Sequence, residues 1–174
     1  MKRPTPTQVE RTFGEDEIIV SKTDTRGRIT YANEVFCRVA GYSEHDLVGQ
    51  PHSIVRHPDM PRCVFQLLWD TISSGNEIFA YVKNMARNGD YYWVFAHVTP
   101  SFDISGKIVS YHSSRRKPEP GVIAKVEPLY RALLEEEQRH HDRKQGQAAG
   151  VAMLHDILNK NQVSYEQFVF SLVA

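Results

Sequence analysis

The chain has 174 residues, 41% of them hydrophobic and 10% aromatic, with 21 basic residues balanced by 21 acidic ones. That length and apolar content suit one core-forming domain with an appendage and exclude global disorder. The even charge excludes the basic excess of a dedicated nucleic-acid or membrane-surface binder. Two cysteines, Cys37 and Cys63, are too few for a disulfide scaffold and lack metal-ligand spacing. The first twenty residues carry no apolar signal-peptide core, and no window approaches the ~18 apolar residues of a membrane span. A cytoplasmic location is expected, with neither nucleic acid nor membrane as partner.

Residues 1–16 are polar, with two prolines among the first six residues and one aromatic, Phe13, and read as an arm or short cap. The β-branched runs at 17–24 and 27–33, around "DTRG", predict two strands joined by a turn. Residues 33–42 switch to helical spacing, with Val35, Phe36 and Val39 apolar and Gly41 as a stop. Residues 43–59 hold two short pieces, "SEHDLVG" and "PHSIVRHP". A helix over 60–74 follows, with Met60, Val64, Leu67, Leu68 and Ile72 on one face. Asp59 is placed to cap it, and Pro61 falls in its first turn.

Three alternating segments complete the domain. Residues 77–84 and 90–100 are joined across Asn88-Gly89, a strong hairpin signal, and 106–116 follows the turn "DISG". Short turns force antiparallel pairing, so 17–117 reads as an α+β domain with short helices on one face of the sheet. Within 118–174, "VIAKVEPLYRALLEEEQ" has helical spacing, and Pro128 must kink that helix or mark its start. "RHHDRKQGQAAG" reads as a polar hinge. The remainder is a helical tail whose Val151, Leu154, Leu158, Phe168, Val169 and Leu172 offer an apolar face for docking.

The stretches "GRITYANEVFCRVAGYSEHDLVGQPH" and "RNGDYYWVFAHVTPSFDISGKIVSY", in this order of elements, resemble the PAS family of sensor domains. "GQPHSIVRHPDMPRCVFQLLW", "VKNMARNGDYYWV" and "AKVEPLYRALL" are more specifically similar to the flavin-binding PAS domains of the aerotaxis type, and "RHPDMP" is the most selective of these phrases. The resemblance implies a five-stranded antiparallel PAS sheet cupping a flavin, with FAD as the expected form. It also implies a signalling role, following cytoplasmic redox state or oxygen in aerotaxis or energy taxis, without substrate turnover. It carries over Asn33, His52, Arg56, His57 and Asp59 as cofactor-binding or cofactor-supporting positions, and Trp69 as a ring-stacking partner; core packing is an equal reading for Trp69.

Residue chemistry can be set beside that resemblance. If Asn84 faces a cleft, period two places Val82, Ala80 and Ile78 with it, and Tyr92, Val94 and Ala96 on the neighbouring strand can line the same face. Such a cup is apolar with one amide, and an amide that both donates and accepts suits a ring edge of alternating C=O and N–H groups. Asn84 could equally end its strand and help the turn. Arg56 can fork onto a phosphate, His57 can reach a ribose or ring atom, and Asp59 can cap the helix or hold Arg56 or His57. The chain departs from the family pattern at Ile78 and Ala80, where Trp and Gly are usual, and at Met85 and Ala86, where a basic pair is usual.

No cysteine stands where light-driven adduct formation would need one. His52, His57 and His97 are available to haem, but no motif selects one. No Gly-rich phosphate loop, nucleophile elbow or "HExxH" is present, so a binder rather than an enzyme is expected. The alternative to a flavin sensor is a cofactor-free PAS interaction module with its cleft filled by side chains. On the outer sheet face, Phe79, Tyr81, Trp93 and Phe95 form an apolar stripe that requires cover. A homodimer through that face or through the N-terminal arm is expected, with a downstream signalling protein engaged by the C-terminal helices.

Overall fold

Strand alternation and tight glycine turns build the frame. In the computed structural model, which describes residues 4–173, β1 (Ile19–Thr23), β2 (Ile29–Ala32), β3 (Ile78–Met85), β4 (Tyr91–Phe102) and β5 (Ile108–Arg116) form one five-stranded sheet ordered β2-β1-β5-β4-β3. Every pairing between neighbouring strands is antiparallel. The β3–β4 register places Asn84 opposite Tyr92 and Val82 opposite Val94. Gly89 in the connecting turn has φ 96, and a Cβ there would meet the Thr5 carbonyl oxygen at 2.1 Å. The N-terminal arm therefore lies directly on the hairpin. Thr7 donates to the Gly89 carbonyl, Arg11 to that of Tyr91, and Tyr91 to that of Val9. Phe13 is buried in the main core.

Between β2 and β3 come α1 (Glu34–Ala40), α2 (Glu44–Leu47), a 3₁₀ turn (His52–Val55) and α3 (Arg62–Ser73). Each start has a local cause. Asn33 caps α1 by accepting from Phe36 N–H, and Ser43 and Asp46 form a capping box on α2. Apolar side chains such as Phe36, Leu47, Val55 and Val64 turn inward to meet Ile19, Ile29 and Val94 of the sheet in the main core.

α3 starts differently from the sequence expectation. Asp59 does not cap it. The residue before its first turn, Pro61, has no side-chain cap, and the free N–H groups of Arg62 and Cys63 are instead met by the Glu137 carboxylate, from 75 and 74 residues downstream. Asp59 is turned to Lys83 Nζ, 2.9 Å away.

The C-terminal segment forms α4 (Val122–Gln138), α5 (Arg143–Lys160) and α6 (Tyr165–Ser171). α4 runs on through Pro128, the proline neither ending nor beginning it. The expected hinge shrinks to the few residues before Asp142, which caps α5 by accepting from Lys144 and Gln145 N–H. The glycine-bearing tract beyond it is helical because Gly146 and Gly150 are where α5 meets α4. Cβ atoms there would lie 2.2 Å from the Glu137 carbonyl oxygen and 2.9 Å from the Glu137 side chain, respectively.

The outer apolar stripe is covered by this same segment. Phe170 of α6 stacks edge-on against Phe79 and Phe95, with ring centroids 4.9 and 6.1 Å apart. Tyr130 of α4 donates to the Tyr81 carbonyl at 2.7 Å and lies beside Trp93. The bare face on which the homodimer expectation rested is thus clothed by the chain's own helices. No helix among the described residues is long and apolar enough to cross a membrane.

Candidate functional site

Between the inner sheet face and α3 lies a cavity of about 520 Å³, within the ~300–1,000 Å³ typical of small-molecule sites. On the sheet wall the small apolar Val82 from β3 and Ala96 and Val98 from β4 stand beside Ser21 and Thr23 of β1, Asn84 of β3, and Tyr111, Ser113 and Arg115 of β5. Phe65, Leu68, Trp69 and Ile72 of α3 face it. Helical spacing thus sends one side of α3 into the cavity. Gly27 has φ 76, and a Cβ on it would sit 2.9 Å from the Trp69 ring, so the β1–β2 turn and Trp69 close one side together.

The charge on the lining is one-sided. Among the described residues, five arginines line this cavity (Arg26, Arg56, Arg62, Arg115 and Arg143) and no carboxylate does. Arg115, at the inner end of β5, is 2% exposed. Its Nη2 donates to Ser21 Oγ at 2.6 Å and its guanidinium lies 4.4 Å over the Phe36 ring, while Nε and Nη1 have no hydrogen-bond partner among the described residues. A buried guanidinium with unmet donors is costly unless a ligand accepts from it. Burial pushes its pKa down only to about 10, so it stays charged at neutral pH.

Asn84 is 4% exposed, lines the same cavity, and makes no side-chain hydrogen bond among the described residues. His52 completes the wall. Its Nε2 is 3.1 Å from Ser21 Oγ, its ring stacks on Phe36, and burial together with the Arg115 charge lowers its pKa to about 3. It is therefore neutral. Arg56 sits at the mouth, its guanidinium 4.1 Å over the Phe65 ring, and its backbone bridges to Asn84.

The structure thus gathers His52, Arg56, Trp69 and Asn84 at one cavity and places the other four residues elsewhere. Asn33 is committed to backbone, accepting from Val20 and Phe36 N–H and donating to the Ile18 carbonyl. Tyr92 is fully buried in the main core and does not line the cavity, and burial raises its phenol pKa. His57 accepts from Asp59 N–H and faces a separate cleft. Asp59 is the partner of Lys83. Cys63 is buried away from the cavity, and burial beside Glu137 raises its thiol pKa to about 12.

Arg115 went unnoticed in the sequence: 106–116 reads as a strand, but none of its residues was singled out for the site. Strand parity carried the signal: Tyr111, Ser113 and Arg115 all share the inward face. Arg143 had no such signal.

The family model of the PAS fold matches residues 29–115, from β2 to the inner end of β5. The chain belongs to the PAS family. Its PAS domain and flanking residues are 44% identical over 130 residues to the aerotaxis receptor of Escherichia coli (strain K12), an alignment covering 75% of this chain and 26% of the receptor. It is also 33% identical over 99 residues to the nitrogen fixation regulatory protein of Klebsiella pneumoniae, covering 57% of this chain and 20% of that protein. The chain therefore spans about a quarter or less of the length of these relatives. Among solved structures, the PAS domain is similar to the dark structure of the blue-light photoreceptor Aureochrome1 LOV. That match has a TM-score of 0.54 and 25% identity, and covers 70% of this chain and 84% of that one.

Proposed function

We propose that this PAS protein is a cytoplasmic redox- or oxygen-responsive sensor that holds a flavin, FAD, in the cavity and passes its oxidation state to a signalling partner. One observation carries the reading: a space of about 520 Å³ lined by two buried polar residues, Asn84 and Arg115, neither fully hydrogen-bonded among the described residues. A flavin's pyrimidine edge offers alternating acceptors and an N–H, which an amide and a guanidinium can read together. The apolar side chains of the lining suit its flat ring body. When bound, a flavin supplies reversible electron uptake.

What the chain's own residues contribute is recognition and response. Asn84 can donate or accept, so it can reorient when the ligand's hydrogen-bonding pattern changes. Arg115 favours negative charge arising near it. Asn84 lies on β3 three residues from Tyr81, whose carbonyl accepts from the Tyr130 hydroxyl of α4. A change at the inner face therefore has a short route to the helices on the outer one.

The similarity to the aerotaxis receptor supports a role in aerotaxis or energy taxis. The competing reading, a cofactor-free interaction module, is opposed by the size of the cavity and by the unmet Arg115 donors. The visible spectrum of the purified protein, before and after adding FAD, tests the choice. An oxidised-flavin band that bleaches on anaerobic reduction supports the sensor. A colourless protein that takes up no added flavin removes it.

A further inference from the structure

A second cleft of about 630 Å³ adjoins the first, formed where the C-terminal helices approach the residues ahead of α3. Four residues line both spaces: Ser53, Arg56, Arg62 and Arg143. The boundary between the cavities is thus a hydroxyl and three guanidinium groups. The second cleft continues to Leu134, Gln138, His140 and His141 at the α4–α5 junction. Its one carboxylate among the described lining residues, Glu137, has both oxygens occupied by backbone N–H groups of Arg62 and Cys63.

A ligand crossing this boundary must be anionic in its middle. Guanidinium groups fork onto phosphate oxygens, and the three at this boundary outnumber the single Glu137 carboxylate. Resting on the flavin reading above, we infer that the cofactor site extends beyond the PAS domain. The diphosphate of a flavin dinucleotide lies at Arg56, Arg62 and Arg143, and its adenosine half lies in the second cleft against α4 and the start of α5. Arg143 and Leu134 are then ligand-binding residues contributed by the C-terminal helices. The expected basic pair of the β3–β4 hairpin is Met85 and Ala86 here; in this arrangement the positive charge comes from α3 and α5.

This arrangement makes two demands on affinity. A dinucleotide must bind better than a mononucleotide, and the advantage must depend on residues outside the family match at 29–115. Arg143 is exposed at the first position of α5, so its replacement leaves the fold intact.

Fluorescence titrations of the full chain with FAD, FMN and riboflavin, on wild type, Arg143→Gln and Leu134→Trp, test the inference. Wild type should rank FAD above FMN. Arg143→Gln should weaken FAD by about tenfold, the value of one charge-assisted contact, and leave riboflavin unchanged. Leu134→Trp, which fills the second cleft, should bring FAD down to the FMN level without altering FMN. Equal affinities of wild type for FAD and FMN, or an Arg143→Gln protein that binds FAD like wild type, would overturn the extended site and leave the flavin reading standing. A wild type that binds none of the three overturns both.

Discussion

Glu137 at the end of α4 caps α3 through Cys63: its Oε1 accepts from the Cys63 N–H at 2.7 Å while Oε2 accepts from that of Arg62 at 2.9 Å. The carboxylate is 5% exposed. It therefore fixes the helix that walls the cavity to the helical segment that covers the outer sheet face. Negative charge at a helix start is favourable on both hydrogen-bond and dipole grounds.

Glu137→Ala should lower unfolding free energy by about 2 kcal/mol, the range for a lost buried cap and charge-assisted hydrogen bonds. Glu137→Gln, which keeps one acceptor, should lose less. Urea denaturation of the two variants checks the order; an unchanged midpoint for Glu137→Ala would remove the cap from the account.

Gly→Ala inside a helix ordinarily stabilises by about 1 kcal/mol. At Gly146 the sign should reverse, because the new Cβ would lie 2.2 Å from the Glu137 carbonyl oxygen, a backbone atom that cannot swing aside. Thermal melts of Gly146→Ala should show a loss of about 1–3 kcal/mol. A gain would mean that α4 and α5 do not pack as described.

Arg115→Met separates folding from binding. The flavin-free variant should be no less stable than wild type, since a buried guanidinium with unmet donors is replaced by an apolar side chain of similar length. Flavin affinity should drop by at least about tenfold. Paired urea and flavin titrations decide the matter; a variant that unfolds readily yet binds flavin normally would reverse the role assigned to Arg115.

His52 supplies a pH signature in the flavin-free protein. Its pKa falls from 6.5 in the unfolded chain to about 3 in the fold, through burial and the neighbouring Arg115 charge. A lowered folded pKa means that stability is complete above pH 6.5 and is lost as pH falls towards 3, by up to ~1.4 kcal/mol per pH unit. Carboxylates such as Asp46, Asp90 and Asp103, whose pKa values hydrogen bonds lower, lose stability in the same direction. The His52→Gln difference isolates the histidine: the variant should show a shallower acid slope between pH 6.5 and 4, and parallel curves would refute it.

Much of the PAS fold was legible because its determinants are local. Asn88-Gly89 fixed one hairpin, and alternation through Ile78–Asn84 named the inner face. What escaped was non-local. Asp59 had the chemistry of a cap, but Glu137, brought in by a helix hairpin, took the place. "RHHDRKQGQAAG" has hinge composition, and only the approach of Glu137 shows why Gly146 and Gly150 belong in a helix. The outer stripe needed cover, and nothing in its own residues said that Tyr130 and Phe170 would supply it. At the candidate site, His52, Arg56, Trp69 and Asn84 meet in space, whereas Arg115 becomes conspicuous only once its burial is known.

A crystal structure of the full chain grown with FAD tests the central claim most directly. Electron density for a flavin ring is expected between β3 and α3, hydrogen-bonded to Asn84 and to the Arg115 guanidinium. A cavity closed by its own side chains, with Arg115 satisfied by protein groups and no ring density, would contradict it.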